Sequence, residues 1–261
     1  MKAALTERSA RVAAAVKLHR HVGRRRAGLF LAEGPNLVAG ALQRGLVRDL
    51  FVTEDAALRH DALVSGQATP VHLVTERAAK ALSDTVTPTG LVAVCEIPAT
   101  NLDDVLPDSP SLIAVAVDIG EPGNAGTLIR IADAMGAAAV VLAGHSVDPY
   151  NGKCLRASTG SIFSIPVVVA PDTELVLASL RRAGLQVLAT AVDGETSLDD
   201  ADPILARPTA WLFGPEAQGL PAEVAAQADR RLRIPMAGGA ESLNVAAAAA
   251  ICLYLSARAS R

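Results

Sequence analysis

From residue 112 onward, short apolar runs alternate with stretches whose apolar positions have helical spacing. Runs that are apolar at every position are typical of strands buried on both faces, and helices between them predict a parallel sheet covered on two sides. Such sheets bind ligands at the carboxyl ends of their strands, so the residues that follow each run are the candidates for chemistry. The predicted strands span residues 112–117, 139–142, 165–169, 186–191, 210–213 and 232–234.

The first 96 residues predict a separate small α/β unit. Residues 6–22 have helical periodicity, and short strands separated by helical stretches follow at 29–32, 50–53, 71–74 and 91–96. The segment 98–111 carries three prolines and three aspartates with little apolar periodicity, as in a surface linker. The pattern therefore predicts a first domain at 1–97, a linker at 98–111 and a parallel-sheet α/β domain at 112–261.

Composition narrows the class of protein. Of 261 residues, 51% are hydrophobic and 20% charged, which fits one or two globular domains. The longest apolar run, 245–255, is well short of the roughly 20 residues that span a membrane, so it predicts a buried helix. No leader-like apolar block is found near the N-terminus, and we expect a cytoplasmic protein without a membrane partner.

Cysteine usage and ligand spacing argue against disulfides and metals. The three cysteines are odd in number, far apart and outside any CxxC pair, so we expect small buried hydrophobes. No set of side chains has the spacing of metal ligands, and no metal is predicted. The cysteines are Cys95, Cys154 and Cys252.

Positive charge is concentrated near the N-terminus. The net charge of −3 alone disfavours a nucleic-acid partner, but residues 1–48 hold ten Lys or Arg against two acids. Arg24, Arg25 and Arg26 lie in the densest part of this run. One interpretation is an RNA-binding surface, and the other is the solvated face of the first helix.

The first loop at a predicted strand end, 118–130, contains Gly120, Gly123 and Gly126, which let the backbone approach a ligand closely. It lacks the G-x-G-x-x-G spacing of dinucleotide-binding proteins, which disfavours a nicotinamide-dependent oxidoreductase. Asn124 fits either an N-cap or a catalytic residue. Arg130 fits either a surface cation or a functional one.

Two more loops follow predicted strands. In 213–220, Gly214 and Gly219 bracket Glu216 on a tight turn. In 234–244, a double glycine precedes Ser242 and Asn244, either of which fits the N-cap of the last helix, while a cap explains only one of them. A further segment, 151–161, adds two cations that either grip phosphates or face water, namely Lys153 and Arg156.

Taken in order, these loops carry three motifs that resemble the signature motifs of the SpoU, or TrmH-like, RNA ribose 2′-O-methyltransferases of the SPOUT superfamily. The motifs are N-x-G-x-x-x-R at 124–130, G-x-E-x-x-G-L at 214–220 and I-P-M-x-G-x-x-x-S-L-N at 234–244. The sequence E-G-P-N at 33–36 resembles the ribosomal-L30e-like substrate-binding domain of the rRNA-modifying branch.

The resemblance implies a SPOUT fold with a trefoil knot, which sequence patterning could not predict because knots are very rare. It also implies S-adenosyl-L-methionine as methyl donor and a homodimer formed through the knotted domains. By motif position, the donor contacts would be Gly214, Ile234, Met236 and Leu243.

The resemblance also implies the acceptor side of the site. It nominates Arg130 for proton removal or phosphate-assisted activation, and Asn124, Glu216, Ser242 and Asn244 for organising the site. A guanidinium is effectively always charged, so binding a substrate phosphate is physically easier for Arg130 than acting as a base.

We therefore expect methyl transfer to a ribose 2′-hydroxyl of RNA, with 23S ribosomal RNA favoured over transfer RNA. Arg24, Arg25, Arg26, Lys153 and Arg156 are the candidate RNA contacts. Two alternatives remain: a non-catalytic RNA-binding or ribosome-assembly protein, and the disfavoured oxidoreductase. The sequence does not specify the modified nucleotide.

Overall fold

The computed structural model describes residues 4–107 and 110–260. The strands are β1 (Leu29–Glu33), β2 (Val47–Val52), β3 (Val71–Leu73), β4 (Leu91–Glu96), β5 (Leu112–Val117), β6 (Ala139–Ala143), β7 (Val167–Ala170), β8 (Gln186–Thr190), β9 (Thr196–Ser197), β10 (Thr209–Phe213) and β11 (Arg230–Arg233). The α-helices are α1 (Ala10–Val16), α2 (His21–Ala27), α3 (Pro35–Gln43), α4 (Glu54–Arg59), α5 (Asp61–Val64), α6 (Glu76–Leu82), α7 (Leu102–Val105), α8 (Pro122–Ala134), α9 (Gly152–Ser158), α10 (Thr173–Arg182), α11 (Asp202–Leu205), α12 (Ala222–Ala225) and α13 (Val245–Ala259).

The chain forms two compact units. The first comprises Met1–Ala99 together with Tyr150–Phe163, and the second comprises Thr100–Pro149 together with Ser164–Arg261. Residues 150–163 lie inside the predicted domain 112–261, but the structure groups them with the first unit.

The first unit has a four-stranded sheet in the order β1-β4-β2-β3. Strand β4 pairs antiparallel with β1 and β2, and β3 pairs parallel with β2. All four strands predicted here are present within a few residues of their predicted bounds. The predicted α/β character of this part of the chain is therefore confirmed.

The prediction of a single helix over 6–22 is wrong. Helices α1 and α2 are separated by a 3-10 turn, Lys17–His19, and by Arg20, whose backbone is extended (φ −94°, ψ 137°). At Gly23 the backbone lies so close to the turn that a Cβ would be 2.1 Å from the carbonyl oxygen of Lys17. A glycine at 23 thus permits a bend that the periodicity of apolar positions does not reveal.

Aromatic contacts attach residues 150–163 to the first unit. The fully buried Phe30 on β1 lies 4.9 Å from Tyr150 and 6.3 Å from Phe163, measured between ring centroids. A Cβ on Gly40 of α3 would be 2.7 Å from the Phe163 ring, so the helix backbone packs directly on that ring. These residues form part of the core of the unit.

The second unit confirms the predicted parallel sheet. Its seven strands pair in parallel in the order β7-β6-β5-β10-β8-β11-β9. Strand β9 was not predicted, because its two residues carry no apolar signal. All six predicted strands are present, with their bounds shifted by no more than two residues.

Helices cover both faces of this sheet. On β10, Ala210 and Leu212 share a buried cluster with Val176 and Leu180 of α10. Trp211 points to the opposite face, where its indole Nε1 donates a hydrogen bond to Ser256 of α13 over 2.8 Å. The apolar segment 245–255 is therefore part of a helix packed on the sheet, as predicted.

The three cysteines are buried, as predicted. Burial raises the pKa of the Cys95 and Cys252 thiols far above the usual range, so both stay protonated. They act as small apolar side chains of the interior.

Candidate active site

The loops singled out from the sequence meet at one edge of the second sheet. They follow β5, β10 and β11, and β8 lies between β10 and β11 in the strand order. Because these strands are parallel, their carboxyl ends face the same edge. The loop after β8 therefore belongs to this group, although sequence reasoning did not single it out.

A cavity of about 750 Å³ opens between these loops. Ligand pockets in proteins have volumes of about 300–1,000 Å³, so this one fits a molecule the size of a nucleoside derivative. All four predicted donor contacts line it, as do two residues predicted for the acceptor side. These are Gly214, Ile234, Met236 and Leu243, and Glu216 and Ser242.

The turn after β10 is too tight for any residue but glycine at its start. A Cβ on Gly214 would be 2.5 Å from the backbone of Gly219 and of Leu220. Gly219 has a φ of +67°, a conformation that glycine adopts without strain. Two glycines thus close the turn and place Glu216 at its exposed tip.

Glu216 accepts hydrogen bonds from two side-chain amides of distant parts of the chain. Asn124 Nδ2 donates to Glu216 Oε1 over 2.5 Å, and Asn244 Nδ2 donates to the same oxygen. Asn244 Nδ2 also lies 3.1 Å from Asn124 Oδ1. One residue from each of the three motifs therefore meets in a single polar cluster, which we call the Glu216 cluster.

Asn244 has two functions in this arrangement. Its Oδ1 accepts from the backbone N–H groups of Ala246 (2.9 Å) and Ala247 (3.3 Å), so it is the N-cap of α13. Since the oxygen faces the helix, the amide nitrogen must face Glu216. The cap therefore fixes the direction in which Asn244 donates.

Asn124 is not a helix cap. Glu121 caps α8, its side chain accepting from the N–H of Gly123 over 3.2 Å, and Asn124 lies inside the first turn. The capping interpretation of Asn124 is thus wrong, and its side chain is directed to the Glu216 cluster instead.

Arg130 and Ser242 do not join this cluster. Arg130 is exposed on α8, and Ser242 is exposed at the cavity wall. Within residues 4–107 and 110–260, neither side chain forms a hydrogen bond or an ion pair. Both are therefore available to a ligand.

The predicted RNA contacts have different surroundings. Arg24 is only 4% exposed, and its Nη1 donates to the carbonyl oxygens of Leu18 and His19, both over 2.9 Å. The prediction that Arg24 lies on an RNA-binding surface is thus wrong, because its charge is engaged inside the first unit. Arg25, Arg26 and Lys153 are exposed.

Arg156 is also exposed, but it forms an ion pair with Asp84 within the first unit. The side chains of both residues are 39% exposed. Phosphate binding by Arg156 would therefore compete with this carboxylate.

Sequence reasoning missed one wall of the cavity. Thr190, Ala191 and Val192, at the end of β8, line it beside the predicted residues. Their position at the carboxyl end of a predicted strand is the signal that could have identified them.

Among the described residues, no helix is long and apolar enough to cross a membrane. The same residues contain no group of three or more His, Cys, Asp or Glu side chains arranged to hold a metal ion.

Comparison with known proteins gives matches over both parts of the chain. Residues 111–254 match the model of the SpoU rRNA Methylase family, and residues 9–93 match that of an MRM3-like substrate binding domain. The chain is 34% identical to the 23S rRNA (guanosine(2553)-2′-O)-methyltransferase RlmP of Bacillus subtilis, over 91% of this chain and 92% of that protein. It is also 34% identical to a 23S rRNA (uridine(2479)-2′-O)-methyltransferase of Streptomyces viridochromogenes, over 88% and 83% of the two chains.

Solved structures are similar over nearly the whole chain. An AdoMet-bound rRNA methyltransferase from Sinorhizobium meliloti has a TM-score of 0.85 and 33% identity, covering 98% of this chain and 97% of that one. The SpoU methyltransferase AviRb from Streptomyces viridochromogenes, in complex with AdoMet, has a TM-score of 0.85 and 33% identity, covering 96% and 98%.

Proposed function

This chain belongs to the SpoU rRNA methylase family, and we propose on that basis that it methylates a ribose 2′-hydroxyl of 23S ribosomal RNA with S-adenosyl-L-methionine as donor. The observation that carries the proposal is the Glu216 cluster. It joins the three motifs beside a cavity of suitable size. Relatives named as 23S rRNA 2′-O-methyltransferases support the choice of substrate.

The volume and the lining residues of the cavity suit the donor. Ile234, Met236 and Leu243 offer apolar surface to an adenine or a thioether, and Gly214 lets the backbone approach closely. The donor supplies an electrophilic methyl group on a sulfonium. The chain therefore has to bind it, exclude water from its apolar parts and present the methyl group to the acceptor.

The acceptor side is assigned to the polar residues at the cavity wall. Glu216, held by two amides, has a fixed orientation, and Ser242 is a hydroxyl available to the substrate. Arg130, exposed on the helix that carries Asn124, is proposed to bind a phosphate next to the target ribose. Such binding would align the 2′-hydroxyl for attack on the methyl group, and the hydroxyl proton would pass to solvent.

RNA contacts outside the site are assigned to the first unit. Arg25, Arg26 and Lys153 are exposed cations there, and Arg156 contributes where a phosphate displaces Asp84. The match of residues 9–93 to a substrate binding domain supports this assignment, and we propose an L30e-like fold for the region 1–97.

We further propose that the segment after β11 completes a trefoil knot, and that the protein is a cytoplasmic homodimer. The dimer would form through α13, where Tyr254 is 52% exposed on an otherwise largely apolar helix. Light scattering on the intact chain and on a Tyr254→Glu variant tests this, and two monomeric samples would contradict the dimer.

The experiment that tests the proposed function uses labelled S-adenosylmethionine and 23S rRNA prepared from cells that lack this enzyme. After nuclease digestion, one 2′-O-methylated nucleotide should carry the label, and Glu216→Ala should abolish it. Donor and RNA binding without label would favour the non-catalytic alternative. Label in transfer RNA alone would contradict the ribosomal substrate.

A further inference from the structure

The wall of the cavity that follows β8 is held by charged residues outside the cavity. Residues 191–195 form a short turn in which the N–H of Gly194 donates to the carbonyl of Ala191 over 3.2 Å. Ala191 and Val192 line the cavity, and Val192 is 70% exposed. We call this turn the 191–195 rim, and its position depends on its contacts with β11.

Arg231 on β11 connects this rim to the neighbouring strand. Its Nη1 is 3.1 Å from Asp193 Oδ2, and its Nε is 3.2 Å from Glu195 Oε2. The backbone N–H of Arg231 donates to the other oxygen of Glu195 over 3.0 Å. One residue thus contacts both acids of the rim and both oxygens of Glu195.

The backbone of the rim packs closely against the backbone of β11. A Cβ on Gly194 would be 2.6 Å from the carbonyl carbon of Leu232 and 2.7 Å from the nitrogen of Arg233. Arg233 Nη1 donates to the carbonyl of Gly194 over 3.0 Å. Residue 194 must therefore be glycine for the rim to lie where it does.

The charges of this contact persist over the working range of pH. The Arg231 N–H bond lowers the pKa of Glu195, and the Asp193 carboxylate raises the pKa of Arg231. A carboxylate with a lowered pKa contributes its interaction above its usual pKa and loses it as the pH falls through the lowered value. The contact is therefore complete at neutral pH.

We propose that Arg231, Asp193 and Glu195 form a clamp that positions the 191–195 rim over the donor cavity and sets the affinity for S-adenosylmethionine. The proposal rests on the assignment of that cavity to the donor. None of the three side chains lines the cavity, so they are positioning residues that act through Ala191 and Val192. The chemical step and RNA binding do not depend on them.

Titration calorimetry of the full chain with S-adenosylmethionine tests the clamp. Arg231→Gln should raise the donor Kd about fivefold, the order expected for loss of a network of exposed ion pairs. Arg230→Gln is the matched control: it removes the same charge from the adjacent, exposed position on β11, and the donor Kd should not change. Gly194→Ala, which lifts the rim by steric contact, should weaken binding without removing a charge.

Three further measurements distinguish positioning from loss of fold. Arg231→Gln should raise the donor KM and leave kcat and the RNA KM unchanged. Raising the salt concentration should weaken donor binding of the wild-type chain and of Arg230→Gln more than that of Arg231→Gln, because salt screens the clamp. The double variant Asp193→Asn with Arg231→Gln should bind the donor no more weakly than Arg231→Gln alone.

The possible results distinguish failure of the clamp from failure of the proposed function. Wild-type binding combined with an unchanged Kd in Arg231→Gln and Gly194→Ala would overturn the clamp and leave the proposed function intact. A wild-type chain that binds no donor would overturn both. A lower kcat at saturating donor would show that Arg231 acts on the chemical step, against its role as a positioning residue.

Discussion

The Glu216 cluster and helix α2 both contain residues chosen from the sequence, but their geometry differs. In the cluster, three residues separated by up to 120 positions share hydrogen bonds around one carboxylate oxygen. In α2, three consecutive arginines have different surroundings: Arg24 is buried, and Arg25 and Arg26 are exposed. A parallel sheet brings together the motifs that follow its strands. Consecutive residues of one helix, in contrast, point in different directions around the helix axis.

The largest effect is expected from Asn244→Asp, which separates the two functions of this residue. Aspartate caps helices as well as asparagine does, so α13 should keep its N-cap. Two donors to Glu216 and Asn124 would be replaced by a second carboxylate. The lost bond to the Glu216 carboxylate is worth about 1.5–3 kcal/mol, and the new carboxylate adds like-charge repulsion, so methyl transfer should fall about 100-fold or more.

The readout is kcat at saturating donor and RNA, together with the melting temperature. Asn151→Asp, the same change at the N-cap of α9, controls for the effect on capping. If Asn244→Asp keeps full kcat, the cluster has only a structural role.

Next in size is the loss of stability expected from Arg24→Gln. The shorter amide cannot reach the carbonyl oxygens of Leu18 and His19, which would lose their charged donor. Unfolding free energy should drop by about 2 kcal/mol. Denaturant titration measures this free energy, with Arg25→Gln as the exposed control. Equal unfolding free energies in the two variants would contradict a stabilising role for Arg24.

A smaller change is expected when Arg25 and Arg26 are both replaced by Glu. RNA affinity should decrease about tenfold at moderate salt, and its salt dependence should become shallower, because phosphate contacts release fewer counterions. Donor affinity and stability should be unaltered. Filter binding across a salt series provides the measurement. An unchanged slope would identify these side chains as a solvated helix face.

The smallest effect is expected from Arg130→Lys. Lysine keeps the charge but lacks the planar fork that contacts two phosphate oxygens at once, so kcat/KM for RNA should fall about fivefold. Arg130→Ala should fall further. Near-full methylation by the lysine variant would mean that Arg130 supplies charge alone.

Sequence patterns predicted the second sheet well because its strands are apolar on both faces. Such continuous apolar runs can be recognised in the sequence without knowledge of tertiary contacts. Sequence patterns also predicted the cluster residues through motifs, but not that Asn244 caps α13 while donating to Glu216. They failed where backbone approach decides the structure, as at Gly23, where the first helix breaks. They also passed over the 191–195 rim, since its importance arises from contacts with β11.

The packing of Tyr150 and Phe163 on Phe30 limits how this protein can be recombined with its relatives. A chimaera that exchanges residues 1–97 alone would separate Phe30 from Tyr150 and Phe163, its packing partners in this chain. Exchanging 150–163 as well would keep the parental core together. The first unit is thus encoded in two separated stretches of the chain, and transfer of the intact unit requires both.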